Sequence, residues 1–346
     1  MKRILKRIKF NFYLLQKINW LRFIKLQSKN SETVVMVWPR YPNNFFNYMS
    51  CGTFENDFAL VNAVMQKGQK FKLVLGKNRL SKIKNKQLYF NLSGRFKNSF
   101  ESDYSKALLD YQSKLLSQGN KLVPSHEDTH YWENKLYMHK KFEELNISHP
   151  QTIIVDTDHP APIIPTIPFP FLFKPAHSSG SIGIVKVNNQ TEYKDIIENT
   201  EYTEYMLQEW IDMRRDLRLI YVGDELLLHY WRINESDEWK PTSTGHGSSV
   251  GFETLPEQWM DFLYKEYKKL NIKTGAFDVT WRDDDLSTKP LILEVSPSYM
   301  PNPAPSGKFK NKPYKTFKNQ LFGKDAYFKK YIDLVFKLKN KLIDLK

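Results

Sequence analysis

The sequence is poor in cysteine and in long apolar runs. Cys51 is the single cysteine among 346 residues, so no disulfide can form within the chain. Such cysteine usage is typical of a reducing compartment, and we therefore expect a cytoplasmic protein. No apolar stretch reaches the roughly 18 residues of a membrane-spanning helix. Charged residues also interrupt the first apolar runs before they reach the length of a signal peptide.

Acidic residues are missing from residues 1–30, which hold nine Lys and Arg and no Asp or Glu. Residues 307–346 hold twelve Lys against three Asp. The two segments together carry +18, which leaves −4 for residues 31–306 out of the +14 of the whole chain. The body of the protein is therefore mildly acidic, which argues against a nucleic-acid-binding protein. Nucleic acid nevertheless stays open as a less favoured partner, because basic segments with aromatic residues can also bind it.

Both basic segments have apolar residues at helical spacing. In residues 2–26 these residues are Leu5, Ile8, Phe12, Leu15, Ile18, Leu21 and Phe23. Tyr327–Leu345 repeats the pattern among lysines. The spacing predicts an amphipathic helix in each segment, and two interpretations stay open. The helix lies on an anionic membrane surface, or it packs on the body of the protein with a solvated basic face.

No dinucleotide fingerprint occurs where the chain begins a parallel sheet. Thr33–Trp38 and Phe71–Gly76 have strand composition, and Glu55–Gln66 between them is helical in pattern. This order predicts a parallel βαβ unit. The unit contains no GxGxxG, so the sequence does not indicate dinucleotide binding. Residues 77–123 are predicted to be mostly polar and helical.

The pentapeptide His126–His130 matches HExxH, a pattern in which two histidines can bind zinc. Ser125 and Asp128 are spaced as an N-cap and N3 pair, which places the match at the start of a helix. No third ligand follows at the usual spacing. We therefore interpret the pentapeptide as a capped surface helix. The chain also shows no Ser/His/Asp or Cys/His arrangement that would supply a nucleophile.

The stretch 169–185 combines a lysine with a loop of small residues. A strand that carries Lys174 leads into the loop, and a second apolar strand follows it. The small residues of the loop are Ser178, Ser179, Gly180, Ser181 and Gly183. Small residues let backbone N–H groups approach an anion, and a lysine adds charge. The stretch predicts a phosphate-binding loop, and an ordinary Gly/Ser hairpin is the alternative.

Two later strands each contain one carboxylate. Asp278 lies in the apolar run 276–280, and Glu294 lies in the run 291–295. A charged side chain in a buried strand needs a partner. Two carboxylates that face one site suit a hard cation such as Mg²⁺. We therefore predict a magnesium site on these strands.

The order of motifs from about residue 124 to 303 resembles the ATP-grasp superfamily. The motifs are an Asn-Lys pair at Lys135, the loop Leu145-x-Ile147-x-x-Pro150, the segment PFLFKPAHSSGSIGI, a strand that ends at Glu209, and the D-x-R strand 216–224. Within the superfamily these motifs are most similar to those of carboxylate–amine ligases such as ribosomal-protein glutamate ligase and D-alanine–D-alanine ligase. The resemblance implies an α+β or α/β class with the ATP-grasp fold.

The resemblance also implies a domain order. Residues 1–30 form a basic amphipathic segment, and residues 31–123 an N-terminal α/β pre-ATP-grasp domain. Residues 124–205 form the nucleotide-binding subdomain of the ATP-grasp unit. Residues 206–306 form the subdomain with the metal carboxylates, and residues 307–346 a basic helical segment.

The nucleotide contacts that the resemblance implies come from three places. Lys135 and Lys174 reach the phosphates of ATP or, for one of them, the adenine edge. The loop 178–183 closes over the β- and γ-phosphates. Glu209 accepts a hydrogen bond from the adenine amino group, with Trp210 and Ile211 beside it.

The catalytic and metal residues follow from the same resemblance. Arg218, Arg232 and Lys174 face the transferred phosphoryl group. Asp278 and Glu294 match the metal carboxylates, and Ser296 replaces the usual Asn ligand. Ser296 binds through water, or Ser298 or Asn302 substitutes for it; the sequence leaves these alternatives open.

The activity that the resemblance implies is ATP-dependent carboxylate–amine ligation with Mg²⁺. ATP phosphorylates a carboxylate, and an amine attacks the acylphosphate. The substrates are small or glycan-linked, such as polysaccharide precursors, and the basic segments suit a peripheral place at the inner membrane surface. Two alternatives stay open. One is an ATP-grasp kinase that phosphorylates a small-molecule or sugar hydroxyl, and the other is a non-catalytic basic adaptor for membrane or nucleic acid.

Overall fold

The computed structural model describes most of the chain as two compact units. The described residues are 2–38, 48–49, 53–76, 82–93, 104–178, 180–236, 239–243, 247–251, 254–299 and 327–345. Those within 1–129, 222–227 and 298–346 form the first unit, and those within 130–221 and 228–297 form the second unit. Cys51, Ser179 and Asn302 lie outside the described residues.

The first unit is built on a parallel sheet with helices around it. Its helices are α1 (Lys2–Gln16), α2 (Trp20–Leu26), α3 (Phe54–Gln66), α4 (Tyr104–Ser117), α5 (His126–His130) and α9 (Tyr327–Asp344). Its strands are β1 (Thr33–Val37), β2 (Phe71–Leu75), β3 (Gln87–Tyr89) and β4 (Lys121–Val123), in the order β2-β1-β3-β4. The predicted βαβ unit is confirmed, because β1 and β2 pair in parallel on either side of α3 in the chain.

The prediction for residues 77–123 was wrong in part. Among the described residues of this range, β3 and β4 join the sheet in parallel register. Each strand has only three residues. A run this short contains too few side chains to show the alternation by which a strand is detected in a sequence.

Both basic segments contribute to the core of the first unit. The buried apolar side chains of α1 include Phe10 and Leu14, and those of α9 include Tyr331, Ile332 and Val335. They belong to one apolar cluster with α3. Packing on the body is therefore the observed arrangement for these apolar faces. None of the described helices is both long and apolar enough to cross a membrane.

The helix predicted over residues 2–26 is two helices in the structure. α1 ends at Gln16, and α2 begins after Asn19, whose side chain accepts a hydrogen bond from the Arg22 backbone N–H at 3.0 Å. This contact satisfies one of the donors that a new helix leaves open. Residues 2–26 therefore form two separate helices rather than one continuous helix.

The predicted cap of the HExxH helix is confirmed. The Asp128 backbone N–H donates to Ser125 Oγ at 3.0 Å, and the Ser125 N–H donates to Asp128 Oδ2 at 3.2 Å. These reciprocal bonds form a capping box. His126 Nε2 lies 3.0 Å from Ser113 Oγ. The pentapeptide forms the whole of α5, a capped helix as the sequence indicated, but its Asp128 and Thr129 are buried and not on the surface.

The second unit contains two sheets. Its helices are α6 (Lys135–Glu144), α7 (Gln190–Asn199) and α8 (Glu257–Lys269), and a 3-10 turn covers Arg282–Asp284. Its strands are β5 (Thr152–Val155), β6 (Phe171–Pro175), β7 (Val185–Val187), β8 (Tyr205–Glu209), β9 (Arg215–Val222), β10 (Glu225–Ile233), β11 (Ser249–Gly251), β12 (Thr274–Thr280) and β13 (Leu291–Ser296).

The two sheets place the predicted site residues on neighbouring strands. One sheet has the order β5-β8-β6-β7, in which β6 and β7 pair antiparallel around the Ser/Gly loop. The other has the order β11-β10-β9-β12-β13. β12 and β13 are antiparallel, and Asp278 lies directly opposite Glu294. The prediction that these two carboxylates occupy adjacent strands is therefore confirmed.

Candidate active site

Lys174 is a partly buried lysine with an uncharged hydrogen-bond partner. It lies on β6, and its Nζ donates to Gln208 Oε1 on β8. Burial, together with the nearby charge of Lys135, lowers the pKa of Lys174 to about 8. The ammonium is therefore held in place while its charge stays available to an anion.

Gln208 is held by a second layer of polar groups. Its Nε2 donates to Thr152 Oγ1 at 3.1 Å and lies 3.3 Å from His139 Nε2. Burial, followed by the charge of Lys174, lowers the pKa of His139 well below its ordinary value. A neutral His139 can accept from the amide, so the amide oxygen must point to Lys174. The sequence analysis missed Gln208 and His139, although a lone Gln in an apolar strand was a usable signal.

Lys135 joins α6 to the Ser/Gly loop. Its Nζ donates to the Ser178 backbone oxygen and to Ser178 Oγ, the latter at 3.0 Å, and its own N–H donates to the Ala176 oxygen at 3.0 Å. Burial is the main cause that lowers the pKa of Lys135, and Glu294 and Glu133 oppose it. The structure therefore brings together Lys135 and Ser178, which lie 43 residues apart in the sequence.

The loop between β6 and β7 has several residues in the left-handed region. Gly180, Ser181 and Gly183 have φ values of 60°, 62° and 76°. Consecutive residues of this kind can turn backbone N–H groups towards one anion. A Cβ atom on Gly183 would lie 2.7 Å from Pro175 Cγ, so this glycine permits a close approach to β6. Ser179 lies outside the described residues.

The predicted adenine contacts lie at the end of β8 and just after it, at Glu209, Trp210 and Ile211. In the structure Glu209 and Trp210 contact other side chains of the protein. Glu209 accepts from Arg282 Nη2 at 3.0 Å and from the Gln151 N–H at 3.1 Å. The hydrogen bond from Arg282 is the main cause that lowers the pKa of Glu209. Lys186 Nζ lies 3.7 Å from the centre of the Trp210 ring, and Ile211 is buried. The adenine contact of Glu209 stays a prediction.

A row of charged side chains, which we call the charge row, lies on four neighbouring strands of the five-stranded sheet. Its members are Arg232 on β10, Asp216 and Arg218 on β9, Asp278 on β12 and Glu294 on β13. Arg218 donates to both oxygens of Asp278 at 2.6 Å each. Arg232 donates to Asp216 Oδ1 at 2.9 Å, and its Nη2 lies 2.8 Å from Asp278 Oδ2.

The pairing explains how these charges tolerate burial. Burial alone would raise the pKa of Asp278, but the guanidinium groups of Arg218 and Arg232 lower it to about 2. Asp278 therefore stays ionised. For Asp216 burial prevails, and its pKa is raised. The sequence analysis missed Asp216, although it is the first residue of the D-x-R motif.

The carboxylates fit a magnesium ion that also binds substrate phosphates. Glu294 and Ser296 are two residues apart on β13 and share a face with Asp278. Glu133 Oε2 is buried without a hydrogen-bond partner, and burial followed by the charge of Glu294 raises the pKa of Glu133 to about 7. Within the described ranges, no three His, Cys, Asp or Glu side chains form a metal site by themselves. Mg²⁺ commonly takes one or two carboxylates and completes its shell with phosphates and water.

Comparison with known sequences connects this site to ATP-binding ligases. The family described as "Synapsin, ATP binding domain" matches residues 149–301. The chain is 31% identical over 152 residues to the alpha-aminoadipate–LysW ligase LysX of Sulfolobus acidocaldarius, which is 42% of this chain and 53% of that protein. It is 27% identical over 141 residues to LysX of Sulfurisphaera tokodaii, or 38% and 49% of the two chains. The chain thus spans about half the length of these curated relatives.

Comparison with solved structures extends the match to most of the chain. The D-alanine–D-alanine ligase of Bacillus anthracis complexed with ATP has a TM-score of 0.54 at 12% identity, over 90% of this chain and 97% of that one. The D-cycloserine synthetase DcsG has a TM-score of 0.53 at 11% identity, over 89% and 99%. At identities this low, the matches show a shared fold and nothing more. The chain has the ATP-grasp fold, and its resemblance to carboxylate–amine ligases of the ATP-grasp superfamily is confirmed.

Proposed function

We propose that this protein is an ATP-dependent carboxylate–amine ligase that works through an acylphosphate. One observation carries the proposal. The part of the chain that matches an ATP-binding family, residues 149–301, contains both the partly buried Lys174 and the charge row from Arg232 to Glu294. The names of the curated relatives describe a ligase that joins alpha-aminoadipate to LysW. This supports a ligase reaction without specifying the substrates of the present chain.

The proposed ligands are ATP and Mg²⁺. Lys135, Lys174 and the loop 178–183 bind the phosphates, and Glu209, Trp210 and Ile211 lie beside the adenine. Asp278 and Glu294 hold the metal ion, with Ser296 on the same face. Bound Mg²⁺ would neutralise phosphate charge and polarise the transferred phosphoryl group.

The side chains of this chain act by position and charge. In the first step a substrate carboxylate oxygen forms a bond to the γ-phosphorus of ATP, and ADP leaves. In the second step an amine attacks the acyl carbon, loses a proton, and releases phosphate. Lys174, Arg218 and Arg232 stabilise the negative charge on the migrating phosphoryl group. Asp278 orients Arg218, because it accepts two of the hydrogen bonds that the guanidinium can donate.

The proposal has two finer parts. The carboxylate and the amine belong to small molecules or to glycan-linked precursors of a cell-surface polysaccharide. The protein works in the cytoplasm, at the inner face of an anionic membrane. The nine Lys and Arg of residues 1–30, with no acidic residue among them, support attraction to such a surface.

A product-mass experiment tests the reaction. The protein is incubated with ATP, Mg²⁺ and pools of amino acids, amines and uronic acids, and ADP release is followed by mass spectrometry of the products. A product lighter by one water than its two substrates together supports ligation. A product heavier by one phosphate group instead indicates a kinase. No ADP release with any pool would favour a non-catalytic adaptor.

Glu294→Gln tests the metal assignment with little change in the fold. Glu294 is partly exposed, whereas Asp278 is buried and holds the guanidinium groups of Arg218 and Arg232, so replacement of Asp278 would also destabilise the protein. We expect Glu294→Gln to lower ADP release about 100-fold, because a neutral amide binds Mg²⁺ poorly.

The matched control is Glu198→Gln, the same change at an exposed position of α7. It should leave turnover and thermal midpoint unchanged. Full turnover in Glu294→Gln at saturating ATP and Mg²⁺ would show that the metal assignment is wrong.

A further inference from the structure

The short helix α2 turns one face to the core and one face outwards. On the inner face the Phe23 ring packs edge-on against Phe71 with centroids 5.7 Å apart, and Arg22 Nη2 donates to the Gln66 oxygen at 3.2 Å. On the other face Trp20, Leu21 and Ile24 are 41%, 82% and 70% exposed. Residues at this spacing lie on one side of a helix.

The exposed apolar residues of α2 are neighbours on one short helix. Single exposed apolar side chains are ordinary in proteins, whereas exposed apolar side chains grouped in one patch are typical of an interaction surface. Trp20 is fixed, because its Nε1 donates to the Leu15 oxygen at 3.0 Å and its ring lies 5.3 Å from that of Phe23. The patch is therefore presented in a defined orientation.

The charged residues of the N-terminal segment 1–30 are all basic. Lys25 is exposed and follows Leu21 by one helical turn, so it lies on the same face. α1 repeats the combination, since the exposed Leu5, Lys9 and Phe12 are spaced by four and three residues. We name Trp20, Leu21, Ile24 and Lys25 the α2 outer face, and Leu5, Lys9 and Phe12 the α1 outer face. Residues 1–30 contain no acidic residue, and Asp333 of α9 pairs with Lys17 rather than with Lys9 or Lys25.

An occupant of these faces must be both apolar and anionic. A nucleic acid would use the lysines but would leave Leu21 and Ile24 in water. The boundary between head groups and acyl chains of an anionic bilayer takes aromatic and aliphatic side chains and lysines together. Tryptophan is enriched at this depth, because its ring is apolar and its N–H is polar.

We infer that the α2 outer face, with the α1 outer face beside it in the sequence, inserts into the surface of an anionic membrane. The inference rests on the membrane location proposed above and narrows it. The apolar face of α9 contributes Tyr331, Ile332 and Val335 to the core, so that face of the basic segment 307–346 does not make the contact. Leu21 and Ile24 supply the apolar part of the binding, and Lys9 and Lys25 supply the electrostatic part.

Vesicle flotation of the full chain tests this contact. The probes are vesicles of phosphatidylcholine alone and vesicles in which phosphatidylserine replaces part of it. We expect wild-type protein to float with the anionic vesicles. Leu21→Ser with Ile24→Ser should reduce the bound fraction roughly tenfold or more. Lys9→Gln and Lys25→Gln should each reduce binding about fivefold, and only on the anionic vesicles.

The matched control replaces two other exposed isoleucines. Ile163 and Ile164 are 84% and 74% exposed and lie in the second unit. Ile163→Ser with Ile164→Ser should bind vesicles like the wild type. Thermal midpoints of all variants establish that each is folded, as expected for changes at exposed positions.

The outcomes separate the contact from the wider proposal. If the wild type floats and Leu21→Ser with Ile24→Ser floats equally, the assignment to α2 is wrong while the membrane location stands. If the wild type floats with neither vesicle, both are wrong, and ligation measured without vesicles still decides the activity. Equal binding to both vesicles would overturn the role of the lysines. A wild-type dimer that these serine substitutions convert to a monomer would assign the face to a second copy of the chain.

Discussion

The choice of an amide beside Lys174 decides the electrostatics of the site. A carboxylate at position 208 would neutralise the ammonium and compete with a phosphate for it. Gln208 accepts a hydrogen bond without a net charge, and His139 and Thr152 fix which end of the amide faces Lys174. Gln208 thus orients Lys174 without neutralising its charge, which stays available to a bound phosphate. We regard Gln208 as a positioning residue.

The affinity for ATP should therefore fall as pH rises. Lys174 has a pKa of about 8, lowered by burial and then by Lys135, whereas Glu294 opposes the shift. The phosphates of ATP favour the charged form of Lys174. Above pH 8 the free protein has mostly neutral Lys174, so ATP binding there requires the uptake of a proton. We expect the Kd to rise by up to about tenfold per pH unit above pH 8, measured by calorimetry between pH 7 and 9.5.

Gln208→Glu should change both the strength and the pH dependence of binding. The new carboxylate raises the pKa of Lys174. The Kd should therefore be larger than that of the wild type at pH 7, and it should stay constant up to a higher pH than in the wild type. Lys174→Met is the reference, with weak binding that does not vary in this range. If Gln208→Glu keeps the wild-type profile, the positioning role of Gln208 is incorrect.

The loop between β6 and β7 depends on two glycines with different surroundings. Gly180 and Gly183 both have positive φ, a backbone region that costs other residues roughly 1–2 kcal/mol. They differ in what a side chain would meet. A Cβ at Gly180 would have no atom within 4 Å, whereas at Gly183 it would meet Pro175 Cγ at 2.7 Å and Tyr202 Oη at 3.1 Å. Pro175 adjoins Lys174 in β6.

Gly183→Ala should therefore weaken ATP binding more than Gly180→Ala. The methyl group at residue 183 pushes on β6 next to Lys174, and we expect the Kd to rise about tenfold. At residue 180 only the backbone preference is lost, and the Kd should change about threefold or less. Both values come from calorimetry at pH 7. Equal effects would mean that the close approach at Gly183 does not position Lys174.

The basic segments belong to the folded body of the first unit. α9 lies more than 250 residues after α3 in the chain, yet both contribute to one apolar cluster with α1. Hydrophobic burial rather than charge thus decides where residues 327–345 lie. Lys337 and Lys341 lie on another face of the helix, where both reach Glu225.

Ile332→Ala tests this arrangement in the intact chain. Ile332 is fully buried, so the substitution should lower the free energy of unfolding by about 2–5 kcal/mol in urea. Lys337→Ala in the same helix removes an exposed side chain and should cost about 0.5 kcal/mol or less. If both variants unfold like the wild type, α9 is not part of the core.

Local patterns were enough to predict many elements and the residue types of the site. β1, α3 and β2 were predicted because apolar periodicity and turn residues lie within the same few residues. Lys174, Asp278 and Glu294 were predicted because a charge inside an apolar strand is conspicuous. β3 and β4 were missed because three residues show no periodicity. Asp216, Gln208 and Arg282 were missed because their importance depends on which strands become neighbours.

The amino-acid order alone was sufficient to predict a phosphate-binding lysine, two metal carboxylates and two basic amphipathic segments. Each of these follows from the chemistry of residues close together in the chain. Only the folded structure decided that Arg218 and Arg232 share Asp278, that Gln208 holds Lys174, and that α2 turns Leu21 and Ile24 outwards. The reason is that burial and ion pairing bring together residues far apart in the sequence. A helical repeat shows that a helix has two different faces, but it does not show which of them packs on the core.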